Sequence, residues 1–221
     1  MNLLRRSLKE YKKIIDLTMP LKPDMRGVSF ETAKTVEKDG WNARMLHLYS
    51  HAGTHMDAPI HFGVSEETID TIPLEQCIGE AWVIDATMVK PKGLIHVEHL
   101  GDVATNFKPG ESLLIHTGWS KVASDPDKYR NELPRISEEL AQWCVANQVK
   151  MMGVEPPSVA DVNNIEEVTR IHKILLSGGV VIIEGLCNLD QIDQAKVMLY
   201  ALPLKVYQGD GAPARVFVAA D

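Results

Sequence analysis

The strongest constraint on the fold is a series of short apolar runs, each of strand length and each bounded by strand-breaking residues. They occupy 14–17, 45–49, 81–84, 112–117, 151–154, 180–183, 197–200 and 216–219. Breakers such as Lys108-Pro109-Gly110 and Gly209-Asp210-Gly211-Ala212-Pro213 stand between them. Two helices interrupt the series. One spans 137–147, where Ser137 is a good N-cap and Glu138 and Glu139 suit the positive end of the helix dipole. The other spans 165–176, with Asn164 as its cap and Glu167 in capping-box position. Ser177-Gly178-Gly179 ends it, since glycine tolerates the left-handed conformation common after helix C-termini. Many strands with few helices imply an α/β fold: a β-rich, barrel-like twisted sheet with helices packed outside. The strand order is left open. The polar first dozen residues read as a short helix or an extension over a partner subunit.

A chain of 221 residues suits one domain with a sizeable core, so 1–221 is read as a single domain. The formal charge of −7, without a basic stripe, argues against a nucleic-acid partner. No apolar run approaches the ~20 residues needed to span a membrane, and the charged N-terminus has no apolar stretch behind it, as a secretory signal would. Cys77, Cys144 and Cys187 are sparse and odd in number, which reads as buried thiols in a reducing cytoplasm.

The chemistry is concentrated in His51-Ala52-Gly53-Thr54-His55-Met56-Asp57-Ala58-Pro59-Ile60-His61. Neutral imidazole and carboxylate are ordinary ligands of zinc and similar divalent ions. Gly53 and Pro59 argue against a continuous helix, and Ala58, before proline, is biased to extended geometry. All four polar residues carry odd numbers and share one side of an extended chain. A straight strand over this span would be roughly 33 Å long at ~3.3 Å per residue, too long for one ion. The chain must therefore bend, and Gly53 permits it. His51, His55 and Asp57 form the closest trio and the natural ligand set. His61, beyond the proline, is better placed beside the metal as an acid or base.

A second pair stands further on. Val168, Ile171, His172 and Leu175 share one face of the second helix, so His172 points toward the core. Glu184 closes the apolar run before it, and a carboxylate there needs a cation or a hydrogen-bond partner. With the first segment, these two would complete a site for one or two ions, with Asp57 and Glu184 as bridging carboxylates. His47 is in phase with His51 and is a candidate for outer support of the metal. Arg26, Phe30 and Trp41 are candidates for substrate binding, with a surface loop as the plainer reading. Cys187 reads as a small buried filler. Ser177-Gly178-Gly179 lacks the lysine of a phosphate loop, and no Gly-x-Ser-x-Gly elbow is present.

The pattern His-x-Gly-Thr-His-x-Asp-x-Pro-x-His resembles the signature of the bacterial kynurenine formamidase and cyclase family, and residues 51–61 match every fixed position. The resemblance continues through His172-Lys173-Ile174-Leu175-Leu176, Glu184-Gly185-Leu186-Cys187-Asn188-Leu189, 201–205 and 210–215. It implies a swivelling β/β/α-like fold, a homodimer or homotetramer, and a divalent-metal hydrolase of amides, lactams or related acyl compounds. It implies that His51, His55 and Asp57 bind one metal, that Asp57, His172 and Glu184 share or bind a second, and that His61 is the general acid/base. Two departures stand out. The family's aromatic-Pro-Gly-Asp element is replaced by the stretch 23–30, and its Gly-hydrophobic-Asp reads Gly153-Val154-Glu155 here. Both fall where substrate is expected, so they bear on formylkynurenine as the substrate and leave the metal chemistry intact.

The expected reaction is attack by metal-activated hydroxide on an amide, lactam or ester carbonyl of a small molecule, with His61 handling the proton. His, Asp and Glu ligands without cysteine suit zinc or manganese. A ring-closing cyclase or dehydratase would use the same ligands. A non-catalytic metal-binding module would need no base such as His61.

Overall fold

The computed structural model describes residues 11–221, so the reading of the N-terminus as a helix or extension falls, up to residue 10, outside the described residues. Its strands are β1 (Lys13–Asp16), β2 (Val28–Lys34), β3 (Ala43–Leu48), β4 (His55–Asp57), β5 (Ile78–Asp85), β6 (Leu94–Ile95), β7 (Ser112–His116), β8 (Arg135–Ile136), β9 (Met151–Val154), β10 (Val181–Glu184), β11 (Lys196–Pro203) and β12 (Gly211–Ala220). Its α-helices are α1 (Val36–Asp39), α2 (Val103–Asn106), α3 (Pro126–Asn131), α4 (Glu138–Ala146) and α5 (Ile165–Ser177).

The main sheet runs β12-β11-β5-β7-β9-β10-β4 and returns to β12, because β4 pairs with β10 on one side and β12 on the other. Seven strands thus close into a barrel, and β1 extends the sheet beside the far end of β12. The stretch β5, β7, β9 and β10 is parallel, and the remaining pairings are antiparallel. The expected barrel-like sheet with helices outside is what the chain forms.

Side-chain alternation explains why the parallel strands are apolar throughout. Leu114, Met151, Val181 and Ile183 join one core cluster, with Met56, Leu199 and Val218. Their neighbours Leu113, Ile115, Met152 and Ile182 join a second, with Leu140 of α4 and Ile171 and Leu175 of α5. One cluster fills the barrel and the other seats the helices, so both faces of these strands are buried. The same alternation sets the site. Met56 and Ile183 point into the barrel, so His55, Asp57 and Glu184 point outward, toward α5.

The two expected helices form as read. Ser137 Oγ accepts from the Leu140 N–H at 3.1 Å, and Asn164 Oδ1 from the Glu167 N–H at 3.1 Å. The capping box at α5 is only half made. The Glu167 carboxylate is taken by Arg135 Nε at 2.6 Å and the Asp161 N–H at 3.2 Å. Helices α1 to α3 and strands β2, β4, β6 and β8 were not among the expected elements. β2 and β3 form a separate hairpin.

Met56 is fully buried in the barrel interior at the strand that closes it. Met56→Ala should cost about 2–5 kcal/mol, as large-to-small core changes do. Urea unfolding measures this, and a loss below about 1 kcal/mol would contradict a filled interior at β4.

Candidate metal centre

The segment from His51 to His61 bends as its spacing requires. His51 lies in the turn after β3, and Gly53 takes φ +60°, a left-handed conformation that glycine accepts without strain. The chain then runs straight through β4. Pro59 opens a 3-10 turn over Pro59–Phe62 that carries His61 back toward His51. The two rings stack, with centroids 3.9 Å apart and an interplanar angle of 25°. Register supplies the rest: His55 lies opposite Glu184 on β10, and Asp57 opposite Gly211 on β12. A Cβ at Gly211 would stand 2.6 Å from His51 Cε1, so only glycine leaves room for that imidazole.

Two donor groups sharing Asp57 result: His51, His55 and Asp57, and Asp57, His172 and Glu184, each with ligand atoms within 4.8 Å of one another. His55 Nδ1–H donates to the Gly53 carbonyl at 2.9 Å, which leaves its Nε2 3.2 Å from Glu184 Oε2 and 3.7 Å from Asp57 Oδ1. His172 Nδ1–H donates to the Val168 carbonyl at 2.7 Å, and its Nε2 lies 3.3 Å from Glu184 Oε1 and 3.6 Å from Asp57 Oδ2. In both rings a carbonyl that can only accept fixes the tautomer, and the free nitrogen is aimed at carboxylates. His51 is arranged differently, with Nδ1 2.8 Å from Asp57 Oδ1 and Nε2 3.1 Å from Asp210 Oδ2.

The electrostatics are those of a cation site. Asp57 is 1% exposed, and its Oδ2 has no hydrogen-bond partner among the described residues. A buried carboxylate oxygen without a donor is costly, and a bound cation would satisfy it. Burial works against charge on His51, yet the hydrogen bond and charge of Asp57, with Asp210 behind, hold its pKa up at about 9. Burial likewise opposes charge on His55 and His172, and Glu184 outweighs it, so both are raised. Glu184 resists burial through its hydrogen bonds to His172 and His55, which hold it well below the usual carboxylate range. His61 differs: burial lowers it, so its imidazole is neutral near pH 7. The donor set therefore fits a divalent ion, with positive charge drawn to the same place by imidazolium when metal is absent.

Other expected residues stand apart from this cluster. His47 is exposed and lies 3.7 Å from Glu31 within the hairpin, so it does not support the centre. Phe30 meets Arg44 at 6.0 Å and Trp41 meets Lys34 at 5.9 Å, again within the hairpin. Arg26 lies exposed in the turn before β2. Cys187 is half-buried, and burial raises its thiol to about 11, which suits a filler rather than a thiolate. Glu155, at the second departure, is buried and accepts from the Thr117 and Gly118 N–H groups and from both neighbouring hydroxyls, Thr117 and Ser120. It binds a loop together rather than facing the ligands. Two residues at the centre escaped sequence reasoning. Phe62 stacks on His172 with centroids 4.3 Å apart. Asp210 approaches His51 and, at 3.5 Å, His61 Nδ1. Its signal was present in Gly209-Asp210-Gly211 but reads equally well as turn chemistry.

The Cyclase family, described as Putative cyclase, matches residues 15–161. A kynurenine formamidase from Salinibacter ruber is 31% identical over 174 residues, covering 79% of this chain and 78% of that protein. A predicted metal-dependent hydrolase from Bacillus stearothermophilus superposes with a TM-score of 0.75 at 26% identity, over 93% of this chain and 97% of that one. Isatin hydrolase A from Ralstonia solanacearum has a TM-score of 0.85 at 23% identity, over 95% and 92% of the two chains. That last likeness speaks to the fold.

Metal ligation requires neutral imidazole, so an ion that took His51 as a ligand would displace its proton. Because that proton is held up to about pH 9, zinc affinity should rise with pH below that point, by about tenfold per unit for each proton displaced, and flatten above it. Calorimetric titration of metal-stripped protein at pH 7 and 8 measures the change, and equal affinities would contradict a protonated His51.

Proposed function

This chain belongs to the Cyclase family, and from that premise we propose that it is a metal-dependent hydrolase of amide, lactam or ester bonds in small molecules, with His51, His55 and Asp57 as ligands and His61 as general acid/base. The observation that carries the reading is Asp57, a buried carboxylate with one partnerless oxygen, shared by two sets of imidazole and carboxylate donors. In this reading His172 and Glu184 would complete the centre, Asp57 would serve both donor sets, and the site would take one or two ions. The absence of thiolate from the donor groups suits zinc or manganese. The likeness to a kynurenine formamidase favours an aryl formamide or a related C–N bond. A homodimer or homotetramer belongs to the same reading, as does a cytoplasmic setting. Among the described residues no helix is long and apolar enough to cross a membrane.

A bound divalent ion supplies Lewis acidity, which acidifies water and polarises a carbonyl. The chain's own groups do the remainder. His61 is neutral near pH 7 and therefore ready to accept a proton. Its stack on His51 holds the ring beside the ligand set, and with Nδ1 turned to Asp210, Nε2 is the nitrogen left to take the proton from water. The imidazolium so formed then returns that proton to the leaving nitrogen or oxygen. Phe62 stacks on His172 and packs one face of its ring. A ring-closing reaction would draw on the same ligands, and incorporation of ¹⁸O from labelled water into the product distinguishes hydrolysis from it.

His61→Ala should retain metal and lose about 10²–10⁴-fold in kcat on an active aryl formamide or lactam. His51→Ala and Asp57→Ala should lose bound metal as well. Metal content by mass spectrometry, with kcat for each variant, separates the roles. A fully active His61→Ala would remove it from the mechanism.

A further inference from the structure

Each of the three imidazoles in the centre has one nitrogen directed inward and one tied to an outer acceptor. For His55 the acceptor is the Gly53 carbonyl, and for His172 the Val168 carbonyl. For His51 it is a carboxylate from a distant part of the chain, Asp210 Oδ2, at 3.1 Å from Nε2. The inward nitrogen of His51 is Nδ1, which faces Asp57 Oδ1 at 2.8 Å. Ligating histidines commonly donate their second N–H to a carboxylate or carbonyl, which fixes tautomer and ring orientation and raises basicity.

We propose that Asp210 is a positioning residue: its carboxylate accepts the Nε2–H of His51 and holds Nδ1 toward the metal. The proposal rests on the reading that His51, His55 and Asp57 bind the ion. The mounting of Asp210 suits the task. Its carbonyl accepts the Ala58 N–H at 2.9 Å, which ties the turn to the end of β4, and the next residue, Gly211, pairs with Asp57. Asp210 is therefore fixed to the strand that carries two of the ligands. The missing side chain at Gly211 opens the space in which the His51 ring meets it. The same oxygen lies 3.5 Å from His61 Nδ1, beyond a good hydrogen bond, so of the two imidazoles its firm partner is His51, with the Ser50 side chain as a further partner of the carboxylate. The side chain of Asp210 is 48% exposed, so its replacement leaves no buried void.

The test is zinc titration into metal-stripped wild type, Asp210→Ala and Asp210→Asn, with thermal unfolding of each to confirm folding. Asp210→Ala should weaken zinc by about 10–100-fold, the usual cost of losing such a partner. Asp210→Asn keeps an oxygen that can accept from Nε2–H and should bind at least about threefold tighter than the alanine variant. In ¹⁵N-labelled, zinc-loaded protein the His51 Nε2–H proton should be protected from exchange in wild type and lost in Asp210→Ala. Zinc affinity of Asp210→Ala within about twofold of wild type would overturn the proposal, as would an asparagine variant no better than alanine. Failure of wild type itself to take up zinc or manganese would instead overturn the underlying ligand assignment, and the role of Asp210 with it.

Discussion

Two carboxylates, Asp57 and Glu184, are buried beside three imidazoles, and the geometry of the centre follows from the need to neutralise them. Taking a carboxylate out of water is expensive unless a positive charge or several donors compensate. Glu184 is compensated by His55, His172 and the Val159 N–H, which donates to it at 2.7 Å. Asp57 is compensated on one oxygen only. Protons on the imidazoles can balance the charge, as their raised pKa values show, but they leave Asp57 Oδ2 without a donor. A divalent ion would meet both needs at once. The imidazoles would then be neutral, and the orphaned Asp57 oxygen would have a cation to meet.

The fold holds this charge in place through its shortest main-sheet partner strand. β4 has three residues, yet it closes the barrel by pairing with β10 and β12. Met56 anchors it inside, while His55 and Asp57 turn outward under α5, which brings His172. Closure and placement of the donor cluster are therefore one event: a register slip by one residue would send His55 and Asp57 into the apolar interior and Met56 to the side facing α5. The glycines that flank β4 in space serve the same end, with Gly53 turning the chain into the strand and Gly211 clearing room for His51.

Much of this was legible before the fold was known. Residues 51–61 stood out because ligand types converge in a short window and because glycine and proline demand a bend. His172 was legible from its place on the apolar stripe of α5, and Glu184 from a charge that ends an apolar run. The barrel wall was legible from strand-length runs, and the ends of α4 and α5 from their capping residues. What stayed hidden has physical causes. β4 is too short, and two of its three residues too polar, to show strand periodicity. Its pairing with β12 joins residues 55–57 to 211–213, a closure that no local pattern encodes. Asp210 sits between two glycines near a proline, where a turn accounts for an aspartate as well as a site does. His47 misled because shared parity with His51 means nothing once the chain turns between them.

The central claim is that His51, His55 and Asp57, joined by His172 and Glu184, form one cation site. Anomalous scattering at the zinc or manganese edge from crystals of the metal-loaded protein tests it most directly. The account predicts a peak within about 2.0–2.3 Å of a nitrogen of His51, a nitrogen of His55 and an oxygen of Asp57, with any second peak between Asp57, His172 and Glu184. A loaded protein whose anomalous peaks all lie elsewhere, with Asp57 bonded only to protein donors, would contradict it.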